Sequence, residues 1–112
     1  MASPSEQVRT ALTIAGSDSS GGAGIQADLK TFTALGVYGA SVITALTAQN
    51  TQGVTGVLAV PGDFIAAQVA AVANDLDIRA TKTGMLGDRA TVEAVATAIT
   101  RHRLGPVVVD RA

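Results

Sequence analysis

The sequence predicts an α/β fold, a mostly parallel sheet flanked by helices, and three observations predict it. Short β-branched runs with little or no charge alternate with segments whose apolar residues recur at helical spacing. The runs are apolar almost throughout, as suits strands covered on both faces of a parallel sheet. Polar and glycine-rich residues gather where the runs end, at positions 16–24, Gln49-Asn50, Gly84-Met85 and Asp110. Those ends are where open α/β sheets collect ligands.

Residues 1–8 read as a flexible polar tail, and the domain as 9–112. Arg9 to Ala15 is the first strand, stopped by the loop Gly16-Ser17-Asp18-Ser19-Ser20-Gly21-Gly22. A helix from Ala23 to Leu35 follows, with Ile25, Leu29 and Phe32 on one face and Gly36 at its C-terminal end. Gly39 to Thr47 carries no charge and reads as one strand ending at Ala48-Gln49-Asn50. Val54 to Val60 is the next strand, and Pro61-Gly62-Asp63 opens a helix whose Ile65, Val69, Val72 and Leu76 form a stripe. Ile78 to Thr83 is a strand holding Lys82, and Gly84 to Gly87 is the loop beyond it. Asp88 caps a third helix with Val92, Val95, Ala96 and Ile99 on a shared face. Arg101, His102 and Arg103 occupy its last turn, where positive charge suits the helix dipole. Gly105 stops it, and Pro106 to Asp110 is a fifth strand. Helices between strands imply right-handed crossovers.

The 112 residues are 47% apolar and 15% charged, which excludes a disordered chain. With 8 Lys+Arg against 9 Asp+Glu the formal charge is -1, and basic residues cluster only at Arg101-His102-Arg103. Phosphate-driven binding to nucleic acid is therefore not expected. Without cysteine there is no disulfide, thiolate metal site or cysteine nucleophile. Met1 to Gln7 lacks the basic and apolar regions of a signal peptide, and no apolar run nears the roughly 20 residues of a membrane span. The expected location is cytoplasmic, with no membrane partner.

The 16–24 loop admits several readings. A Walker phosphate loop fails because Gly22 and Ala23 stand where Lys and Ser/Thr belong. A dinucleotide fingerprint fits Gly22-Ala23-Gly24-Ile25-Gln26-Ala27, but after Asp28 the next acid is Asp63, too far for a ribose-binding group. Two readings stay open: backbone amides approaching a polar substrate at a helix N-terminus, or a tight strand-to-helix turn. Asp28, one turn into the helix, is a substrate contact or a solvated acid. Gln49 offers a donor and an acceptor to a heterocycle bearing an amino group beside a ring nitrogen, or it caps a loop. Lys82, within an apolar strand, is paired inside or extends to solvent. His102 is a poor catalytic candidate in a cationic helix end, and neither a Ser-His-Asp set nor a set of metal ligands is evident.

Ala11 to Lys30, Gly39 to Asn50 and Lys82-Thr-Gly-Met-Leu86 closely resemble the hydroxymethylpyrimidine and phosphomethylpyrimidine kinases of thiamine biosynthesis, in order and spacing from Thr10 to Asp110. The resemblance implies a ribokinase-like fold and ATP-dependent phosphorylation of 4-amino-5-hydroxymethyl-2-methylpyrimidine, then of its monophosphate. It implies that Gln49 hydrogen-bonds the aminopyrimidine, that Asp28 contacts polar groups of the substrate, and that Gly16, Ala23, Met85 and Val109 shape the pocket. ATP and Mg2+ are implied cofactors, and the full-length family implies a homo-oligomer.

Two departures from the family pattern stand out. Ser19 occupies a position where the family often has Pro, which is expected to loosen the loop. Family members are more than twice this length, so the chain is expected to be the substrate-binding N-terminal half. The nucleotide pocket and the later glycine loop beside the catalytic residue are then missing, and no residue here is assigned as general base. Alone, such a chain is expected to expose apolar surface at Val107 to Asp110, to self-associate and not to transfer phosphate. A pyridoxine or pyridoxal kinase is the runner-up, and a non-catalytic ligand-binding fragment is the alternative of another class.

Overall fold

The computed structural model describes residues 9–110, so the expected tail at 1–8 lies outside the described residues. Nine elements follow in order: β1 (Thr10–Ala15), α1 (Gly24–Ala34), β2 (Tyr38–Ile43), β3 (Ala45–Asn50), β4 (Gly53–Ala59), α2 (Gly62–Ala73), β5 (Ile78–Thr83), α3 (Arg89–His102) and β6 (Val107–Val109). The main sheet has the order β2-β1-β5-β6, and every pairing in it is parallel. The predicted α/β class and its helix-linked strands hold.

One correction concerns the uncharged run from Gly39 to Thr47, which is two strands and not one. Residues 38–43 pair with β1 in register up to Ala15↔Ile43. There β1 ends and the glycine loop turns away, so the chain beyond has no parallel neighbour. Thr44, buried, donates its N–H to the Ala15 carbonyl at 3.0 Å and marks the break. β3 then pairs antiparallel with β4 as a separate two-stranded sheet. Six strands result where five were expected, with Val54 to Val60 in the hairpin and not in the main sheet.

Side-chain alternation divides the main sheet's faces. Leu12 and Ile14 of β1 and Val42 of β2 join Ile65 and Val69 of α2 and Val95 and Ala98 of α3 in the core, together with Leu104. The opposite face, carrying Thr13 and Lys82, meets Asp28 of α1. The stripe on α2 holds, although the helix stops before Leu76, which packs against the core from the following turn. On α3 the fully buried positions are Thr91, Val95 and Ala98, whereas Val92 is 48% exposed. The predicted face was therefore rotated by part of a turn, because Val92 and Ala96 look into an open groove. Asp88 does cap α3, accepting from the Thr91 N–H at 2.8 Å, and these hydrogen bonds hold its carboxyl below the usual carboxylate value. Gly105 is not the stop: Arg103 takes the left-handed conformation at φ 54°, ending the helix earlier.

At its last residue the outer edge of β2 is closed by a side chain. Gln68 of α2 accepts the Ile43 N–H at 2.8 Å and donates to the Ile43 carbonyl at 2.9 Å, as a neighbouring strand would. Gln68→Ala leaves both groups unpaired and is expected to destabilise the fold by about 1–3 kcal/mol. Ile14→Ala, a core truncation, is expected to remove about 2–5 kcal/mol. Denaturant unfolding of each variant measures both losses.

Candidate functional site

At the carboxyl ends of β1 and β5 the chain assembles three linked clusters. The first is the loop from Gly16 to Ala23, organised by Asp18, which is only 3% exposed. Its Oδ1 accepts from the Ser20 N–H at 2.8 Å and the Ser20 hydroxyl at 2.7 Å. Its Oδ2 accepts from the Gly22 and Ala23 N–H groups at 3.0 and 2.8 Å. The Asp18 N–H in turn donates to Gln26 Oε1 at 2.7 Å. Four donors, the Ser20 hydroxyl foremost, outweigh the upward push of burial and hold the Asp18 carboxyl below the usual carboxylate value. Both readings left open for this loop are thereby narrowed, since the Ser20, Gly22 and Ala23 amides are spent on Asp18. The turn is also tight. Gly24 has φ +58°, and a Cβ there would meet the Gly16 carbonyl oxygen, which accepts the Ile25 N–H at 3.0 Å. Gly16 is partly buried against β3, and Ala23 is exposed at the start of α1.

The second cluster corrects the solvated-acid reading of Asp28. Its Oδ2 accepts from the Thr13 hydroxyl at 2.6 Å and from Lys82 Nζ at 2.8 Å, and its side chain is 18% exposed. Lys82 also lies 3.8 Å from Asp110 Oδ2, so of its two readings the paired one holds. Three elements of the sheet and one helix thus meet in one charge network.

The third cluster is Gln49 with its supports. Along β3, Thr47 and Gln49 share a face, as residues two apart do. The Gln49 N–H donates to Ser19 Oγ at 2.7 Å, and Ser19 Oγ donates to the Gln49 carbonyl at 2.5 Å. Ser19 therefore ties the loop to β3. The Thr47 hydroxyl reaches the Ser17 carbonyl at 2.8 Å and Gln49 Oε1 at 3.0 Å.

Met85 and Val109 line a groove of about 350 Å³ between β5, β6 and α3, with Leu86, Val92, Ile99 and Asp110 among its walls. Met85 is 73% and Val109 66% exposed. Gln49, Gly16 and Ala23 do not line that groove; Asp110, through Lys82, connects it to Asp28. Asp18 and Thr47 were missed as site residues from sequence. The signal for Asp18 was an Asp two residues before Ser in a glycine loop, the pattern of a side chain that bonds its own downstream amides; Thr47 had none beyond its even spacing from Gln49.

A model of the family described as phosphomethylpyrimidine kinase matches residues 18–111. The chain belongs to that family. It is 64% identical over 98 residues to a hydroxymethylpyrimidine/phosphomethylpyrimidine kinase of Rhizobium meliloti, covering 88% of this chain and 37% of that relative. Among solved structures, a phosphomethylpyrimidine kinase from Clostridium difficile 630 superposes with a TM-score of 0.87 at 50% identity, over 93% of this chain and 45% of the other. An ADP complex of Bacillus subtilis pyridoxal kinase superposes with a TM-score of 0.85 at 42% identity, over 95% of this chain and 40% of the other. These neighbours establish the ribokinase-like α/β fold, and the kinase family implies nucleotide binding. The chain spans 37–45% of the length of these relatives.

In this phosphomethylpyrimidine kinase family member the described glycine loop does not fit the phosphates of ATP. The loop amides are taken by Asp18, and among the described residues no three His, Cys, Asp or Glu side chains are grouped to hold a metal ion. No described helix is long and apolar enough to cross a membrane.

Asp18→Asn keeps one acceptor and turns an N–H2 toward amide donors, so it is expected to lower the melting temperature. The sign of the pH effect follows from the lowered pKa of Asp18. Its stabilisation is complete above the ordinary Asp value of about 3.9 and is lost as pH falls through the folded value. Thermal melts across the acid range are expected to show a shallower decline for Asp18→Asn than for the parent.

Proposed function

We propose that this chain carries the pyrimidine-binding part of a kinase that uses ATP and Mg2+ to phosphorylate 4-amino-5-hydroxymethyl-2-methylpyrimidine and then its monophosphate, in thiamine biosynthesis. The observation that carries this reading is Gln49, braced through its backbone by Ser19, at the end of β3 beside the glycine loop. An amide edge pairs an amino group and an adjacent ring nitrogen with one acceptor and one donor. Asp28, with Oδ2 held by Thr13 and Lys82, offers its other oxygen to the substrate's polar groups. Gly16 and Ala23 border the ring from the loop side, and Met85 and Val109 supply apolar wall. The nucleotide and Mg2+ are held by residues other than those described, and residues 9–112 act as the substrate-binding part of the domain. A cytoplasmic location and a homo-oligomeric full-length protein belong to the same reading.

A pyridoxal kinase is the second reading, supported by the likeness to the Bacillus subtilis structure. The higher identity to the Rhizobium meliloti pyrimidine kinase favours the first. Calorimetric titration with the pyrimidine and with pyridoxine, followed by an ATP-turnover assay, separates these readings from a chain that binds ligand without catalysis. Gln49→Ala is expected to weaken pyrimidine binding by roughly 1–3 kcal/mol; unchanged affinity removes Gln49 from the site. Asp28→Asn is expected to weaken binding by about tenfold, or 1.4 kcal/mol. It is also expected to lower the melting temperature, because it weakens the partner of Lys82 inside the network.

A further inference from the structure

We infer that the groove between α3 and β6, with the open margin of β6 beside it, is a docking surface for a separate polypeptide, one that lays the apolar face of a helix in the groove and adds a strand parallel to β6. The inference goes beyond the pyrimidine reading and does not rest on it, because it names a partner chain and is tested without ligand.

The first observation is that α3 is apolar on two sides. Val95 and Ala98 enter the core, whereas Val92, Ala96 and Ile99 line the groove of about 350 Å³ with Leu86, Val107 and Val109. One apolar stripe suffices for a helix at the end of a layer, and a second marks a helix built for neighbours on both flanks. On one flank α2 packs. On the other Val92 is 48% exposed.

The second observation is that the two margins of the main sheet differ. At β2 the Gln68 amide takes both backbone groups of Ile43. At β6 the Thr81 N–H donates to the Pro106 carbonyl at 3.0 Å and the Asp110 N–H to the Thr83 carbonyl at 2.9 Å. Backbone groups alternate in direction along a strand, so those of Val107 and Val109 turn outward, where no described strand lies. This margin carries neither charge nor proline between 107 and 109, the usual defences of an exposed edge.

The third observation is handedness, which selects the occupant. From β1 to β2 the chain crosses the sheet one way, with α1 on the face of Thr13 and Lys82. From β5 to β6 it crosses the other way, with α3 on the face of Leu12 and Ile14. Reversing both direction and face keeps one hand, the right-handed crossover. A further step past β6 of that hand puts its helix on the α3 face, where the groove is. β6 has only three residues, too short a margin to hold a second copy of this chain by strand pairing alone. The matched relatives have the length to supply a helix and a strand, since this chain spans 37–45% of theirs.

The test co-expresses the tagged 112-residue chain with the remainder of the Rhizobium meliloti kinase, the part outside the 98 matched residues, and follows co-purification of that fragment. A one-to-one complex is expected. The chain has no cysteine, so Val92→Cys and Thr97→Cys each place one thiol on it, the first in the groove and the second on the flank of α3 facing α2. Maleimide labelling of the Val92→Cys thiol is expected to slow at least tenfold in the complex, with that of Thr97→Cys unchanged. Val92→Asp is expected to weaken the complex at least tenfold, and Thr97→Asp to leave it intact; the labelling comparison decides the matter if Val92→Asp does not fold. Absence of co-purification, equal labelling of the two thiols, or a folded Val92→Asp that still captures the fragment overturns the inference. A chain that pairs with itself through the groove, protects the Val92→Cys thiol and takes no fragment overturns it in favour of a second copy.

Discussion

The Asp18 carboxylate, buried and accepting four hydrogen bonds, is the interaction on which the site depends. A strand and a helix joined by eight residues, 16–23, nearly all small, have many ways to connect. Asp18 selects one by gathering the Ser20, Gly22 and Ala23 amides around a single charge. It thereby fixes the turn that leads into α1, whose own N-cap residue, Ala23, makes no side-chain hydrogen bond; in the first turn the Ile25 N–H is taken by the Gly16 carbonyl. The start of α1 in turn places Asp28 against Thr13 and Lys82, and the outer side of the same loop places Ser17 and Ser19 against β3. Glycine-rich loops at helix N-termini commonly gather external anions; here the anion is part of the chain.

Lys82 plays a complementary part beneath the loop. It sits mid-sheet, a poor place for a lone cation, and its position is sustained by Asp28 on one side and Asp110 on the other. Removing either acid leaves a partly buried charge with fewer partners, which is more damaging than losing a solvent-exposed ion pair. The arrangement links α1, β5 and the end of β6, so the two halves of the candidate site, the loop side and the groove side, share one electrostatic centre.

Much of this was legible in the residues. The helix-forming stripe of Ile65 and Val69, the Asp88 cap and the uncharged strands are local signals, and local signals are what a sequence displays directly. The break at Thr44 was not legible, because nothing in Gly39 to Thr47 announces it. It arises from where β1 ends, which is a property of another segment. Likewise Arg103 rather than Gly105 closes α3, since tertiary packing of Leu104 into the core sets where the helix must turn. At the candidate site, Gln49 and Asp28 were singled out through family resemblance. The parts played by Asp18 and Thr47 were not, because each depends on hydrogen bonds to a loop whose path the spacing of residues does not determine.

The amide clamp of Gln68 on Ile43 has a consequence for how the molecule behaves among its neighbours. A free sheet margin is a template, and another extended chain can add to it and propagate. By occupying both backbone groups of Ile43 with a side chain from its own helix, the protein offers an incoming strand no foothold at that point. The clamp sits just before the chain departs into the β3–β4 hairpin, where Leu46, Val57 and Leu58 are 46–66% exposed. Strand addition is thus hindered at that position, beside an apolar projecting surface, a form of quality control written into one glutamine.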